Sequence, residues 1–178
     1  MARRRARQEQ LTPAVEIAPM EASDWPDVRR IYEEGIATGR ATFETAAPEW
    51  EAWDASHRAE CRFVARRGGR VVGWIALSAV SRRSVYRGVA EVSVYIAADA
   101  RGSGVGRALF ERLIPASEAA GIWTVQAGVM AKNEASLALH ERVGFRRVGV
   151  REAFGQDAAG EWHDVVLLER RSRVVGAH

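Results

Sequence analysis

The sequence has few of the residues that build disulfides, metal centres or membrane spans. Cys61 is the only cysteine among 178 residues, so no internal disulfide forms, and no cluster of cysteine and histidine has the spacing of metal ligands. No run of about 18 apolar residues is present, and no signal-peptide core either, because the basic start MARRRAR is followed by polar QEQ. These absences predict a cytoplasmic protein without a metal and without membrane attachment.

The sequence also lacks a concentrated positive charge. Lysine occurs only at Lys132, and 26 basic residues against 23 acidic ones leave a formal net charge of only +3. A single block, Arg3 to Arg5, stands in a short basic arm, which is most often a disordered terminus. A nucleic-acid partner is therefore not expected.

Length and periodicity predict one domain. A chain of 178 residues with 47% hydrophobic content is long enough for one buried core and short for two. The apolar spacing predicts the order β-α-α-β-β-β-α-β-α-β-β, hence a mixed sheet with helices on its faces, of the α/β or α+β class. The domain is expected over 14–170, after a disordered basic tail at 1–13 and before a short tail at 171–178.

A glycine-rich stretch opens one of the predicted helices. Residues 100–114 read ARGSGVGRALFERLI, and glycines before a helix start leave N–H groups exposed at the positive end of its dipole. This arrangement suits phosphate, although a plain glycine-rich turn remains the alternative. The residues after Gly106 are Arg107 and Ala108, which excludes a P-loop and a dinucleotide fingerprint. Pro115 falls inside the same helix and is expected to remove one backbone bond and bend it.

Several stretches in a fixed order resemble the GNAT superfamily of N-acetyltransferases. A strand ending in VYIAADA precedes Arg101-Gly-x-Gly-x-Gly106, which fits the acyl-CoA motif of that superfamily. EGIATGRATFET, SRRSVYRGVAEVSVYI, NEASLALHERVGF and GEWHDVVLLER are similar to phosphinothricin and methionine sulfoximine acetyltransferases. The resemblance covers roughly residues 14 to 170. It implies the GNAT fold, with a mixed, mostly antiparallel sheet flanked by helices on both faces.

The resemblance implies acetyl-CoA as the co-substrate. The loop N–H groups would hold its pyrophosphate, and its pantetheine would add along the exposed edge of the preceding strand. The N–H of Val94 would point at the thioester oxygen, and one such donor is typically worth ~10²–10³ in rate. The cofactor-binding residues implied are Val94, Tyr95, Ile96, Arg101, Gly102, Ser103, Gly104, Val105, Gly106, Arg107, Asn133 and Ser136. Asn133 also has the position of a helix N-cap.

Two residues are candidates for proton transfer. Strand alternation in AEVSVYI places Glu91 on the face opposite Ala90 and Val92, where a carboxylate is either a solvated or paired charge or a general base. The resemblance matches Glu91 to the acid proposed to deprotonate the attacking amine through water. It also matches His140 to a histidine proposed as second base or as acid toward the thiolate, although a lone helical histidine is most often structural.

The resemblance also implies an acceptor site. Arg83 and Tyr86 match residues that hold the α-carboxylate of the substrate, and arginine offers the bidentate fork this requires. Arg82 replaces Arg83 if the loop shifts by one residue. Phe43 matches an aromatic of the acceptor pocket, although packing in the core is the commoner role, and Trp162 is interpreted as core or interface. The substrate-binding residues implied are Phe43, Arg83, Tyr86, Glu91, Val92 and Ser93.

Together these features predict an N-acetyltransferase that acts on the α-amine of a small amino-acid-like acceptor such as phosphinothricin, methionine sulfoximine or methionine sulfone. Transfer is expected to be direct, because Cys61 lies outside every matched motif. A homodimer is carried over from the family, and the role is either resistance to a toxin or metabolism. The alternatives are a GNAT enzyme for a polyamine or an aminoglycoside, and a CoA-binding module without catalysis.

Overall fold

The computed structural model describes residues 14–176 and is built around one seven-stranded sheet with the order β1-β2-β3-β4-β5-β7-β6. The strands are β1 (Val15–Pro19), β2 (Phe63–Arg67), β3 (Arg70–Ala79), β4 (Val89–Ile96), β5 (Thr124–Met130), β6 (Arg146–Gln156) and β7 (Trp162–Arg171). The helices are α1 (Trp25–Ala37), α2 (Trp50–Ser56), α3 (Val105–Ala119) and α4 (Glu134–Arg142). The predicted element order is confirmed, and the expected tail at 1–13 lies outside the described residues.

The sheet is mixed and mostly antiparallel, as predicted. Every pair of neighbouring strands is antiparallel except β4 and β5, which run parallel. Strand β3 is buried without alternation from Val71 to Leu77, because α1 and α3 both pack on it. In the stretch 14–176, no helix combines the length and the apolar content needed to cross a membrane.

The parallel strands β4 and β5 pair over a short distance and then separate. Their ladder joins Val89–Glu91 to Thr124–Gln126 and ends there, although β4 continues to Ile96 and β5 to Met130. Beyond the ladder, β4 stays paired with β3 up to Ile96, and β5 stays paired with β7 up to Met130. The two strands therefore diverge from a vertex at Glu91 and Gln126, and their facing edges lack each other as hydrogen-bond partners.

Helix α3 begins at the glycine-rich loop and continues through Pro115. The helix runs from Val105 to Ala119, so the proline does not end it, although proline has no N–H to donate to the carbonyl of Glu111. Leu109, Phe110 and Leu113 are buried against the sheet. Apolar packing of this face holds the helix together across the missing hydrogen bond.

The edge strand β6 contains a bulge close to the diverging strands. Arg151 pairs with Val165, and Gly155 pairs with His163. Between these two pairs β6 spans four residue steps and β7 only two, so β6 bulges. Ala153, inside the bulge, has φ +44°, and its N–H donates to Asp164 Oδ1 at 2.8 Å. Bulges of this kind bend a strand and turn its side chains in a new direction.

Candidate active site

The divergence of β4 and β5 opens a cleft with a volume of about 330 Å³. Its walls come from β4, β5, helix α4, the loop after α1, and the bulged strand β6. Nine residues singled out in the sequence line it: Phe43, Glu91, Val92, Ser93, Val94, Tyr95, Asn133, Ser136 and His140. The fold thus brings together residues that are up to 97 positions apart in the chain, from Phe43 to His140.

Glu91 lies at the vertex of the cleft, opposite Gln126 in the last rung of the β4–β5 ladder. The Gln126 amide Nε2 donates to Glu91 Oε2 at 3.0 Å, which orients the carboxylate. Within residues 14–176 no arginine forms a salt bridge with Glu91, so the paired-charge alternative does not apply there. A half-buried carboxylate held by one neutral hydrogen bond remains able to accept a proton from the cleft.

His140 is buried between aromatic rings. Its side chain is 2% exposed and packs edge-on against Phe110 and Phe145, at ring-centroid distances of 5.2 and 5.1 Å. Nδ1 lies 2.7 Å from the carbonyl oxygen of Ser136, and in the described part of the chain Nε2 has no hydrogen-bond partner. Burial lowers the pKa of His140, partly opposed by the Ser136 carbonyl. The imidazole is therefore neutral near pH 7, with Nδ1–H donating to Ser136 and a lone pair on Nε2.

The lowered pKa of His140 makes stability depend on pH. The unfolded histidine takes up a proton near its ordinary pKa of 6.5, whereas the folded one does so only at lower pH, so this stability is complete above pH 6.5 and falls below it. We expect the unfolding free energy to drop less between pH 7 and 5 in His140→Gln than in the unmodified protein, because glutamine has no proton to take up on unfolding. Urea unfolding at both pH values measures this difference, and equal drops in the two proteins would contradict it.

Helix α4 places its polar residues along the same wall. Asn133 is the N-cap, and its Oδ1 accepts the backbone N–H of Ser136 at 3.2 Å, which confirms the capping role. Both side chains line the cleft with His140. The helix is also held close to α3, because a Cβ on Gly106 would lie 2.7 Å from the Leu139 side chain. The glycine thus permits the close approach of the two helices.

The glycine-rich loop exposes its backbone. Gly102 and Gly104 have φ values of +72° and +87°, and a Cβ on either would meet no atom within 4 Å. The Ser103 side chain turns inward, where its hydroxyl donates to the Ala100 carbonyl at 2.5 Å and accepts from Arg67 at 2.9 Å. Open positions above N–H groups at a helix start form an anion-binding concavity. The loop lies beyond the end of β4, outside the residues that line the cleft.

Arg83 and Tyr86, which the resemblance assigns to the acceptor site, do not line the cleft. Arg83 and Tyr86 stand on the exposed turn before β4, with the Arg83 guanidinium 5.4 Å from the Tyr86 ring. Ile96 is also absent from the cleft lining. Trp162 is 62% exposed, so the core interpretation of it is wrong. Phe43 does reach the cleft, and its ring touches Gly155 so closely that a Cβ there would lie 2.6 Å away.

The structure adds cleft residues that sequence reasoning missed. Tyr32 and Glu44 line one side, and burial raises the pKa of Tyr32, with the Glu44 charge adding to the rise. Arg151 and Phe154 line the side formed by β6. Strand periodicity gives no signal for the last two, because a bulge breaks the alternation that assigns side chains to faces.

A polar group at the tip of the β6–β7 hairpin lies beside this wall. The Asp157 carboxylate lies 2.7 Å from His163 Nε2. It also accepts hydrogen bonds from the backbone N–H groups of Ala159 and Glu161. The His163 contact is the largest cause of the lowered pKa of Asp157. Lys132 Nζ stands 3.3 Å from the same His163 nitrogen. The Asp157 bonds hold the hairpin turn that follows Gly155, the residue of β6 that contacts the Phe43 ring.

Comparison with known proteins decides the family. The model of the acetyltransferase (GNAT) family matches residues 22–145. The chain belongs to this family. This GNAT acetyltransferase is 37% identical over 158 residues to the phosphinothricin N-acetyltransferase of Alcaligenes faecalis. The aligned region covers 83% of this chain and 77% of the relative. It is therefore an N-acetyltransferase, as predicted.

Two further relatives are similar to this chain over most of its length. This GNAT acetyltransferase is 29% identical to the L-methionine sulfoximine/L-methionine sulfone acetyltransferase of Pseudomonas paraeruginosa, over 83% of the chain and 88% of the relative. The phosphinothricin acetyltransferase from Sinorhizobium meliloti, solved in complex with AcCoA, superposes with a TM-score of 0.82 at 29% identity, over 92% of the chain and 91% of that structure. The predicted GNAT fold is confirmed.

Proposed function

We propose that this N-acetyltransferase transfers the acetyl group of acetyl-CoA directly to the α-amino group of a small amino-acid-like acceptor of the phosphinothricin, methionine sulfoximine or methionine sulfone type. The observation that carries the proposal is Glu91, an oriented carboxylate at the vertex of the cleft. Relatives named for such acceptors, 27 to 37% identical, support the substrate class. A CoA-binding module without catalysis has no need of a carboxylate at this position.

The residues of this chain fit acetyl-CoA at two places. The exposed loop around Gly102 and Gly104 suits the pyrophosphate, with no atom within 4 Å of either missing Cβ. Beyond the vertex, β4 and β5 no longer form hydrogen bonds with each other. The facing edge of β4 at Val94 therefore suits strand addition by the pantetheine amides. His140 lines the cleft, and its buried Nε2, without a partner among residues 14–176, keeps an unused acceptor lone pair. Acetyl-CoA supplies the acetyl group as a reactive thioester.

The proton chemistry falls to Glu91. A protonated amine is not a nucleophile, so a base at the cleft must take its proton, directly or through one water. Glu91 Oε2 is held by Gln126, which fixes the carboxylate toward the cleft without neutralising it. The neutral His140 provides a second proton acceptor at Nε2. The backbone N–H of Val94 is proposed to stabilise the negative charge that develops on the carbonyl oxygen of the acetyl group.

The acceptor is proposed to lie between Glu91 and the loop that carries Phe43. The aromatic rings of Phe43 and Tyr95 provide apolar walls beside the carboxylate. Arg83 stands on the turn directly before β4, at the end of the strand where Glu91 lies. This place suits an anchor for the α-carboxylate, which shares a carbon atom with the reacting amine.

The test is the release of free CoA thiol from acetyl-CoA in the presence of candidate acceptors. The panel contains phosphinothricin, methionine sulfoximine, methionine sulfone, spermidine and an aminoglycoside. Selective turnover of the three amino-acid analogues supports the proposal. Turnover of spermidine or the aminoglycoside alone would favour the other enzyme class. Binding of acetyl-CoA without turnover of any acceptor would favour the binding module.

We also propose that the protein forms the homodimer implied by the family, through the free edge of β6. This strand is at the end of the sheet order, and Val148, Val150 and, on β7, Trp162 are 45%, 58% and 62% exposed. Edge strands with exposed apolar residues favour pairing with another chain. We expect Val150→Lys to shift the protein from dimer to monomer in light scattering, while Val174→Lys, also at an exposed valine, does not. A monomeric unmodified protein would contradict the proposal.

A further inference from the structure

The cleft has one cationic side chain, and that side chain has no acidic partner in the described part of the protein. The charged residues of its lining are Glu44, Glu91 and Arg151. Two other arginines of β6 form ion pairs, Arg146 with Glu169 and Arg147 with Glu141. Within residues 14–176 Arg151 forms none, and its guanidinium lies 4.8 Å from the centre of the Phe154 ring. A guanidinium that lines a cleft and has no carboxylate partner is available to bind an anion.

The bulge in β6 places Arg151 beside the cleft. Arg151 is the last residue in register before the bulge, and Phe154 follows within it, so both side chains reach the cleft despite standing three residues apart on a strand. The Asp164 carboxylate fixes the bulge by accepting the Ala153 N–H at 2.8 Å. The arginine is therefore positioned by backbone geometry and by the stacked Phe154 ring.

The register separates Arg151 from Glu91 by most of the width of the site. Arg151 is level with Val165 and Met130, whereas Glu91 is level with Gln126. Four residues along β5 and three strand spacings separate the two Cα atoms, roughly 20 Å at ~3.3 Å per residue and ~4.8 Å per strand. An α-carboxylate lies next to the amine that Glu91 deprotonates, so Arg151 faces a different part of the acceptor.

We propose that Arg151 binds an anionic group at the far end of the acceptor side chain and thereby selects acceptors of the phosphinothricin type over those with neutral side chains. This inference rests on the proposed function and adds to it a determinant of specificity. The chemistry recognised is a phosphinate or carboxylate whose two oxygens match the guanidinium fork. Arg151 then holds the end of the acceptor that lies away from the reacting amine.

The experiment compares two acceptors that share the α-amine and α-carboxylate and differ in side-chain charge. Phosphinothricin carries an anionic phosphinate, and methionine sulfone carries a neutral sulfone. Steady-state kinetics with saturating acetyl-CoA are measured for the unmodified protein, Arg151→Ala, Arg151→Lys and Arg83→Ala, with Arg147→Ala as the matched control on the same strand. Thermal unfolding midpoints verify that each variant is folded.

We expect Arg151→Ala to raise the KM for phosphinothricin about tenfold or more, to leave the KM for methionine sulfone within about twofold, and to leave kcat unchanged. Arg151→Lys should recover part of the loss, and Arg147→Ala should change neither acceptor. Equal effects on both acceptors, or none, would overturn the inference while leaving the proposed function in place. If the unmodified protein acetylates neither acceptor, the proposed function fails, and the inference fails with it.

Discussion

Glu91→Gln is expected to lower kcat by roughly 10²–10⁴ and to leave the affinity for acetyl-CoA nearly unchanged. Glutamine keeps the size of the side chain and its bond partner Gln126, but it does not take a proton from the amine. The loss should be smallest at high pH, where more of the acceptor amine is already deprotonated. Single-turnover rates across a pH series, with a separate titration of acetyl-CoA binding, measure both effects.

The matched control for this variant is Glu51→Gln. Glu51 is an exposed carboxylate in the first turn of α2, outside the residues that line the cleft, so its removal should not change kcat. A turnover of Glu91→Gln close to that of the control would show that the carboxylate at the vertex is not the base. The remaining candidate would then be His140, which lines the same cleft and whose buried Nε2 has no hydrogen-bond partner among residues 14–176.

Gly104→Val is expected to weaken acetyl-CoA binding by roughly 10- to 100-fold. Gly104 is the residue before α3 and has φ +87°, a conformation that costs a β-branched residue about 1–3 kcal/mol. Relief of that strain rotates the N–H groups at the helix start away from the pyrophosphate, and a tenfold loss corresponds to about 1.4 kcal/mol. Isothermal titration with CoA, which needs no acceptor, measures the change.

The control separates backbone strain from lost binding. Gly69 in the turn between β2 and β3 has φ +80°, and a Cβ there also meets no atom within 4 Å. Gly69→Val should therefore lower the unfolding free energy by a similar amount and leave the affinity for CoA unchanged. If both variants bound CoA as well as the unmodified protein, the loop would be a structural turn, which is the alternative that the sequence left open.

Local features of the sequence predicted the parts of the site that depend on one element. The period of β4 placed Glu91 opposite Ala90 and Val92, and the structure has these two buried and Glu91 in the cleft. The asparagine before α4 predicted an N-cap, because a capping residue acts within a few positions.

Features that depend on two distant elements were not predicted from local pattern. The divergence of β4 and β5 after Glu91 depends on the pairing of β4 with β3 and of β5 with β7. The sequences of β4 and β5 alone do not indicate these partners. The bulge at Ala153 depends on a hydrogen bond to Asp164 across the hairpin, and it decides that Arg151 lines the cleft. Arg83, selected through the family resemblance, lies on an exposed turn outside that lining.

The central claim is acetyl transfer to the α-nitrogen of an amino-acid-like acceptor at the Glu91 vertex. The most direct measurement is an NMR spectrum of the product formed from phosphinothricin and acetyl-CoA with the unmodified protein and with Glu91→Gln. We predict one product that carries the acetyl group on the α-nitrogen, formed by the unmodified protein and almost absent with the variant. Equal product from both proteins, or an acetyl group on any other atom, would contradict the account.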